Sequence, residues 1–241
     1  MIDKRSPVPI YYQIEAYIKD MIEANRLGAG DAIPSEREFT EKFQVSRMTV
    51  RQAITNLVND GYLYRQKGKG TFVADKKIEQ PLQGLTSFTE DMKRRGMLPA
   101  TRLLDFSIVP AGRTVAARLQ VKDNEAIYKI KRIRLADDKP MALEETYIPT
   151  NLVPDLTRDI VQQSLYSHIE KDRRLRIANG DQVIEAAIAG GEETQYLHIA
   201  EGDPILLIHR HTFLQDGRPL EWVKSIYRAD RYKFVISMIR D

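Results

Sequence analysis

The sequence predicts an α+β protein in two parts: three helices and a small hairpin, followed by an antiparallel sheet with helices packed on it. Apolar residues recur at helical spacing through residue 60. Glycine-rich turns and strand-like runs come next. Beyond residue 100, strand-like runs joined by hairpin-type turns alternate with short helical stretches.

Composition narrows the class of protein. The chain has 241 residues, of which 42% are hydrophobic and 29% are charged, as in globular proteins. It has no cysteine, which excludes disulfides, thiolate metal sites and a cysteine nucleophile. No apolar run is long enough to span a membrane, and the N-terminus lacks the apolar core of a secretory signal. We expect a cytoplasmic protein with no membrane partner.

The first two helices are indicated by an apolar stripe and by a capping pattern. Ile10, Ile14 and Ile18 repeat at helical spacing directly after a proline. Ser35 and Glu38 have the spacing of a capping box, in which each side chain accepts a hydrogen bond from the other residue's backbone N–H. This pattern predicts that the second helix begins directly after Ser35.

A third helix and a hairpin follow. Ser46 is a good N-cap and predicts the start of the helix after a tight turn. Strands are predicted at 62–64 and 71–73, on either side of a glycine-rich turn at 66–70. Three helices and such a hairpin predict a winged helix-turn-helix domain over residues 1–74.

The distribution of charge indicates where this domain would meet DNA. The net charge of the chain is only +3. Residues 1–46 hold six basic and eight acidic residues, whereas residues 47–70 hold five basic residues and one acidic residue. The first turns of a recognition helix reach base edges in the major groove. The candidate base-reading residues are Arg47, Met48, Thr49 and Arg51.

Other residues are placed to contact the DNA backbone. Arg37 lies early in the second helix, where it would touch a phosphate. Lys67 and Lys69 flank Gly68 at the hairpin tip, a composition that suits a wing in the minor groove or along the backbone. The alternative interpretation is a solvated helix face and an ordinary charged turn.

A linker and a second domain are predicted beyond the hairpin. Residues 75–82 are polar and include a proline, as in linkers, and residues 83–241 form the predicted second domain. Ser87 and Glu90 are spaced as another capping box. Strands are predicted at 101–109, 126–135, 141–148, 181–190, 204–214 and 219–227, with helices near 112–119, 162–170 and 192–198.

The second domain carries a candidate anion site. Arg132 and Arg134 lie two apart in a predicted strand, so their side chains emerge on one face about 7 Å apart. The helix that opens at Ser87 offers backbone N–H groups and the hydroxyls of Ser87 and Thr89. Together these groups would clamp a phosphate. The alternative is that both arginines pair with a glutamate, Glu144 or Glu145, on the next strand.

Four motifs in the first 73 residues resemble the GntR family of bacterial repressors: PIYYQ (9–13), IPSERE (33–38), SRMTVRQA (46–53) and GKGTFV (68–73). The resemblance implies that the DNA contacts are made by Arg37, Arg47, Met48, Thr49, Arg51 and the wing at Gly68. It also implies a homodimer that binds a pseudo-palindromic operator on double-stranded DNA.

Three later motifs resemble the effector domain of the HutC branch: QGLTSFTEDMKRRG (83–96), KRIR (131–134) with PMALE (140–144), and SIYRADRY (225–232). The resemblance implies a domain with a chorismate lyase-like fold that binds the effector and dimerises. Within the branch, the sequence most resembles repressors of N-acetylglucosamine utilisation. The implied effector is N-acetylglucosamine 6-phosphate or glucosamine 6-phosphate, with another sugar phosphate or an organic acid as the alternative.

The same resemblance implies two groups of effector-binding residues. The phosphate end would be formed by Ser87, Phe88, Thr89, Arg132, Arg134, Ser164 and Tyr166. The sugar end would be formed by Glu144, Glu221 and Tyr227. The predicted effector-binding set also includes Ile133 and Leu165.

Two other classes of function stay open at this point. An enzyme on the lyase-like sheet would use the same pocket, but no nucleophile and base occur at a recognisable spacing. A DNA-binding protein without a ligand is the other alternative. His209 and His211 share a strand face but have no evident third ligand, so neither a metal nor a cofactor is predicted.

Overall fold

The computed structural model describes residues 2–75 and 77–240. The chain divides into two compact units, residues 1–78 and residues 79–241. The first unit contains α1 (Ile10–Glu23), α2 (Glu36–Phe43), α3 (Arg47–Asn59), β1 (Leu63–Gln66) and β2 (Gly70–Val73). The predicted order of three helices and a hairpin is confirmed.

The helices of the first unit surround one apolar core. The apolar stripe of α1 packs with α2 and α3, because Ile14, Ile18, Phe39, Ile54 and Leu57 are each at most 1% exposed. The wing strands β1 and β2 pair with one another antiparallel. The first strand begins one residue later than predicted and runs two residues further, so the turn is confined to residues 67–69.

The second unit is built on an antiparallel sheet. Among the described residues, six of its strands are hydrogen-bonded in the order β4-β5-β6-β9-β8-β7. The strands are β4 (Pro99–Pro110), β5 (Ala126–Ala136), β6 (Lys139–Pro149), β7 (Ile177–Ile188), β8 (Pro204–Leu214) and β9 (Pro219–Arg228). The predicted α+β fold, a winged helix followed by an antiparallel sheet with packed helices, is confirmed.

Helices cover both faces of this sheet. They are α4 (Phe88–Arg94), α5 (Arg113–Leu119), α6 (Arg158–Gln162), α7 (Leu165–Ser167) and α8 (Glu192–Leu197). Helices α6 and α7 pack on the face that carries Tyr128 and Ile130. Helices α5 and α8 pack on the opposite face, which carries Ile133 and Trp222. The face under α6 and α7 holds the candidate effector site.

Two local predictions differ from the structure. The helix predicted near 162–170 is divided into α6, α7 and a π-helical turn at His168–Asp172, because Ser164 caps a new helix start. Part of the predicted linker is a strand: β3 (Ile78–Pro81) pairs with β10 (Tyr232–Val235). Strands so far apart in the chain give no local signal that they pair.

Candidate functional sites

Helix α3, the predicted recognition helix, begins at the predicted cap. The Ser46 hydroxyl oxygen accepts a hydrogen bond from the backbone N–H of Thr49 at 3.1 Å. Arg47, Met48 and Arg51 are exposed, and Thr49 is half-buried. Met48 is 69% exposed, an unusual position for an apolar side chain. An exposed methionine at the start of such a helix is suited to contact with a thymine methyl.

One acidic residue contacts both arginines of this helix. Glu36, the first residue of α2, accepts a hydrogen bond from Arg47 Nε at 3.2 Å and from Arg51 Nη2 at 3.1 Å. The hydrogen bond from Arg51 lowers the pKa of Glu36, against the opposing effect of burial, and Arg47 lowers it further. Glu36 was not among the predicted site residues, although it lies inside the IPSERE motif.

The remaining predicted DNA contacts lie on the surface of the same unit. Arg37 is exposed and pairs with Glu41 at 2.8 Å. Lys67 and Lys69 are exposed at the wing tip. Gly68 between them has φ +76°, a left-handed conformation that side chains disfavour, which explains a glycine at this position.

The second site lies at the centre of one sheet face. Arg132 is directly opposite Glu144 in the β5–β6 ladder, and Glu144 is opposite Ser225 in the β6–β9 ladder. Directly opposed side chains point to the same face. Arg132, Arg134 and Glu144 are each at most 6% exposed. Charged groups this deeply buried need partners.

Arg132 has a carboxylate partner. It forms an ion pair with Glu144 and donates from Nη1 to the carbonyl oxygen of Val161 in α6 at 3.0 Å. Burial would raise the pKa of Glu144, but the charges of Arg132, Arg134 and Arg210 lower it to about 2. Glu145 lies on the opposite face, where it pairs with Lys129 at 3.4 Å. The alternative of glutamate pairing therefore holds for Arg132, with Glu144 as the partner.

Arg134 is held differently. Its Nη2 donates to the Thr89 hydroxyl at 3.1 Å, and its guanidinium lies 4.8 Å from the centre of the Phe88 ring. Within residues 2–75 and 77–240, no ion pair joins Arg134 to a carboxylate. Burial and the neighbouring Arg132 lower the pKa of Arg134 to about 10. Arg134 is therefore a buried cation whose nearest contacts are neutral.

Some of the polar groups at the start of α4 are already hydrogen-bonded within the capping box. The Ser87 hydroxyl accepts from the backbone N–H of Glu90 at 3.2 Å and donates to the Glu90 carboxylate at 2.9 Å. The capping box predicted from the sequence is thus confirmed. It also engages the Ser87 hydroxyl that the sequence suggested for a phosphate. The Thr89 hydroxyl is the one that faces Arg134.

A second buried carboxylate lies on the same face. Glu221 is 2% exposed and accepts from the Tyr166 hydroxyl at 2.6 Å and the Thr212 hydroxyl at 3.0 Å. Arg210 Nη2 lies 3.6 Å from the same carboxylate. Burial lowers the pKa of Arg210, but nearby groups that include Glu221 raise it overall.

Arg210 was not predicted from the sequence to be a site residue. The signal that could have found it is strand alternation, because His209 and His211 share one face of β8 and Arg210 must then point to the other. The Nε atoms of Arg132, Arg134 and Arg210 are buried, and none has a hydrogen-bond partner in the part of the chain that the structure describes.

The other predicted effector residues fall into two groups. Leu165, Tyr166 and Tyr227 line cavities on the sheet face that carries Arg132 and Arg134. Burial and the charge of Glu144 raise the pKa of Tyr227 to about 12. Ser164 caps α7 and accepts from the backbone N–H of Ser167 at 3.4 Å. The prediction that Ile133 binds the effector is wrong. Its side chain packs with the core on the opposite face, because it lies between two residues that face the site.

Cavities lie beside the arginine cluster, which is formed by Arg132, Arg134 and Arg210. One of about 340 Å³ is lined by residues that include Ser87, Glu144, Arg210 and Tyr227. A narrow cavity of about 20 Å³ reaches Arg132 and Arg134 themselves. A third, of about 420 Å³, is lined by residues that include Thr89 and Ser164 but by none of the three arginines. The cluster is therefore reached from a concave, polar surface.

Comparison with known proteins identifies the class to which this fold and these sites belong. Residues 10–73 match the bacterial regulatory proteins of the gntR family, and residues 94–233 match the UTRA domain. The UTRA match spans more than half of the chain. The chain therefore belongs to the GntR family and has a UTRA domain as its second unit, and the family resemblance of the motifs is confirmed.

Individual relatives cover nearly the whole chain. It is similar to the HTH-type transcriptional repressor NagR of Bacillus subtilis (strain 168), with 50% identity over 99% of this chain and 98% of that protein. It is 35% identical to the mannosyl-D-glycerate transport/metabolism system repressor MngR of Escherichia coli (strain K12), over 95% of each chain. The crystal structure of PhnF from Mycobacterium smegmatis superposes with a TM-score of 0.68 at 32% identity, covering 95% of this chain and 100% of that one.

These relatives decide between a regulator and an enzyme. They are transcriptional regulators, so the chain is a DNA-binding transcriptional regulator and the enzyme alternative is set aside. Within the described residues, no helix is long and apolar enough to cross a membrane.

Proposed function

We propose that the protein is a cytoplasmic, homodimeric repressor that binds operator DNA through α3 and the wing and is controlled by an amino-sugar phosphate. The effector is N-acetylglucosamine 6-phosphate or glucosamine 6-phosphate. The amino-sugar class rests on the sequence resemblance, and the 50% identity to the repressor NagR supports the assignment to repressors. The anionic character of the effector rests on the geometry of the pocket.

The observation that carries the proposal is an unbalanced charge on the pocket face. Three arginines, Arg132, Arg134 and Arg210, share the pocket face with two carboxylates, Glu144 and Glu221. Arg132 pairs with Glu144, and Arg210 lies nearest to Glu221. Arg134 is left without a carboxylate among the described residues. Because a buried, uncompensated cation is costly, an anion bound at Arg134 would stabilise the cluster.

The two ends of the pocket suit the two ends of such a ligand. At one end, Arg134 and the Thr89 hydroxyl supply donors for a phosphate. At the other, Glu144, Tyr227 and Arg210 line the cavity of about 340 Å³. Carboxylates there can accept hydrogen bonds from sugar hydroxyl or amide groups.

A ligand panel tests the effector assignment. The purified protein is heated with N-acetylglucosamine 6-phosphate, glucosamine 6-phosphate, glucose 6-phosphate and unphosphorylated N-acetylglucosamine. A ligand at 100 times its dissociation constant adds about 2.7 kcal/mol of stability. For a unit of this size, that corresponds to a rise in Tm of about 5–10 °C.

The outcomes separate the alternatives. A shift with the amino-sugar phosphates alone supports the proposal, whereas a larger shift with glucose 6-phosphate assigns the pocket to another sugar phosphate. No shift with any phosphorylated sugar overturns the phosphosugar assignment. In gel-shift titrations, the effector that stabilises the protein should also change its affinity for operator DNA, because binding equilibria at two coupled sites are reciprocal.

A further inference from the structure

Glu36 occupies a position that the proposed DNA contacts alone do not explain. Its carboxylate accepts hydrogen bonds from Arg47 and Arg51, with N–O distances between 3.1 and 3.3 Å. The two arginines are four residues apart on α3, so their side chains are neighbours on one helix face. A single carboxylate from α2 thus bridges the two cationic heads on the recognition helix.

The bridge has two physical consequences. Like charges four residues apart on a helix repel one another, and the carboxylate between them removes that repulsion. Long arginine side chains also lose rotamer freedom when they bind, and a side chain that is already held loses less. Glu36 itself is partly enclosed, since its side chain is 22% exposed while those of Arg47 and Arg51 are 68% and 47% exposed.

We propose that Glu36 is a positioning residue that orients Arg47 and Arg51 for base reading and weakens the binding of DNA of the wrong sequence. This inference rests on the proposed function, because it assumes that α3 reads the operator. Guanine edges offer two acceptors to an arginine and can replace the carboxylate. A phosphate alone gains less from these arginines while they remain paired. The negative charge of Glu36 is also repelled by the DNA backbone.

The test compares Glu36→Gln with the wild-type chain on two probes. The first is the duplex that the wild-type chain enriches from a random-sequence library, and the second is a shuffled duplex of the same composition. We expect Glu36→Gln to bind the shuffled duplex more tightly and to lose about tenfold in the ratio of the two affinities. Its affinity for the shuffled duplex should also depend more steeply on salt, by about one additional phosphate contact.

Two control variants separate positioning from general effects. Glu23→Gln removes one exposed acidic charge in the same unit and should leave the affinity ratio unchanged. Glu36→Asp keeps the charge but is one methylene shorter, so it should give an intermediate ratio. In an Arg51→Ala background, Glu36→Gln should have a smaller effect than in the wild type, because the two residues act together.

The outcomes are distinct. An unchanged affinity ratio for Glu36→Gln, in protein with wild-type thermal stability, overturns the positioning role and leaves the proposed function intact. If Glu36→Gln is unstable, Glu36→Asp decides by the same ratio. If the wild-type chain enriches no sequence from the library, both the positioning role and operator recognition by α3 are overturned.

Discussion

The charged residues buried on one sheet face show how single side chains define the candidate effector site. Arg132 and Glu144 are partners across two strands, whereas Arg134 meets a hydroxyl and an aromatic ring. The same residue type, two positions apart on one strand, therefore has two different environments. We assign Arg132 to holding the pocket together and Arg134 to receiving the anion.

Glu144→Gln should remove the ion pair with Arg132, and the resulting loss of unfolding free energy should depend on pH. At neutral pH, the substitution leaves a buried arginine without its carboxylate and should cost about 3–5 kcal/mol of unfolding free energy. The folded pKa of Glu144, about 2, lies below the ordinary value of 4.5. The stabilisation is therefore complete above pH 4.5 and is lost as the pH falls towards 2.

Urea unfolding at several pH values measures this difference. The gap between the wild type and Glu144→Gln should narrow as the pH is lowered from 4.5 towards 2. The exposed carboxylate Glu170 provides the control, since Glu170→Gln should give a small difference at every pH. A gap of constant size for Glu144→Gln would show that the ion pair contributes nothing through its ionisation.

Arg210→Met should weaken effector binding without harming DNA binding. Methionine fills part of the same space, but the substitution leaves two arginines against two carboxylates, so the pocket no longer has a net positive charge. We expect the dissociation constant of the effector, measured by calorimetry, to rise at least about tenfold, since charge-assisted hydrogen bonds are the strong ones.

A second arginine provides the matched control. Arg102 is exposed and pairs in register with Ile133, so its side chain belongs to the opposite face of the sheet. Arg102→Met should bind the effector like the wild type. Equal losses in both variants would mean that net charge, and not the position of Arg210, determines affinity.

Among the elements, the recognition helix shows most clearly how a local signal determines structure. The Ser46 hydroxyl satisfies the N–H of Thr49, one of the backbone donors left free at a helix start. The cap therefore fixes where α3 begins and which residues lie in its first turn. The positions proposed to contact DNA therefore depend on the cap.

Ser46→Ala should destabilise the first unit by about 1 kcal/mol, because the cap is lost. Ser46→Gly should cost only a few tenths of a kcal/mol, since glycine is tolerated at N-caps. Urea unfolding followed by circular dichroism measures both variants. Equal losses for alanine and glycine would contradict the capping role of the hydroxyl.

Elements set by nearby residues were predicted to within a few positions, and those set by distant residues were not. The capping boxes at Ser35 and Ser87 and the strand alternation around Arg132 are local patterns, and the structure follows them. The pairing of β3 with β10 and the bridge from Glu36 to α3 depend on contacts formed only after folding. A single sequence carries little signal for such contacts. For the same reason, the sequence did not decide whether Arg134 pairs with a glutamate.

At the scale of the whole molecule, the two units have separate cores. The core of the first is formed by α1, α2, α3 and the wing. The cores of the second lie on the two faces of its sheet. Units with separate cores can unfold in separate steps. The proposed effector pocket is lined entirely by residues of the second unit.

Scanning calorimetry should therefore resolve two transitions with different sensitivities. The effector should raise the transition of residues 79–241, and Ser46→Ala should lower the transition of residues 1–78. A single transition that shifts as a whole with both changes would show that the two units unfold as one. The wild-type chain without effector is the reference.

The pairing of β3 with β10 also bears on the order in which the protein is completed during synthesis. About 150 residues separate the two strands. At about 5–20 residues per second, a ribosome needs on the order of 10–30 s to make them. The winged helix is formed by contacts near in sequence and can fold within that interval. The strand that follows it, β3, must wait with an open edge until nearly the whole second unit has left the ribosome.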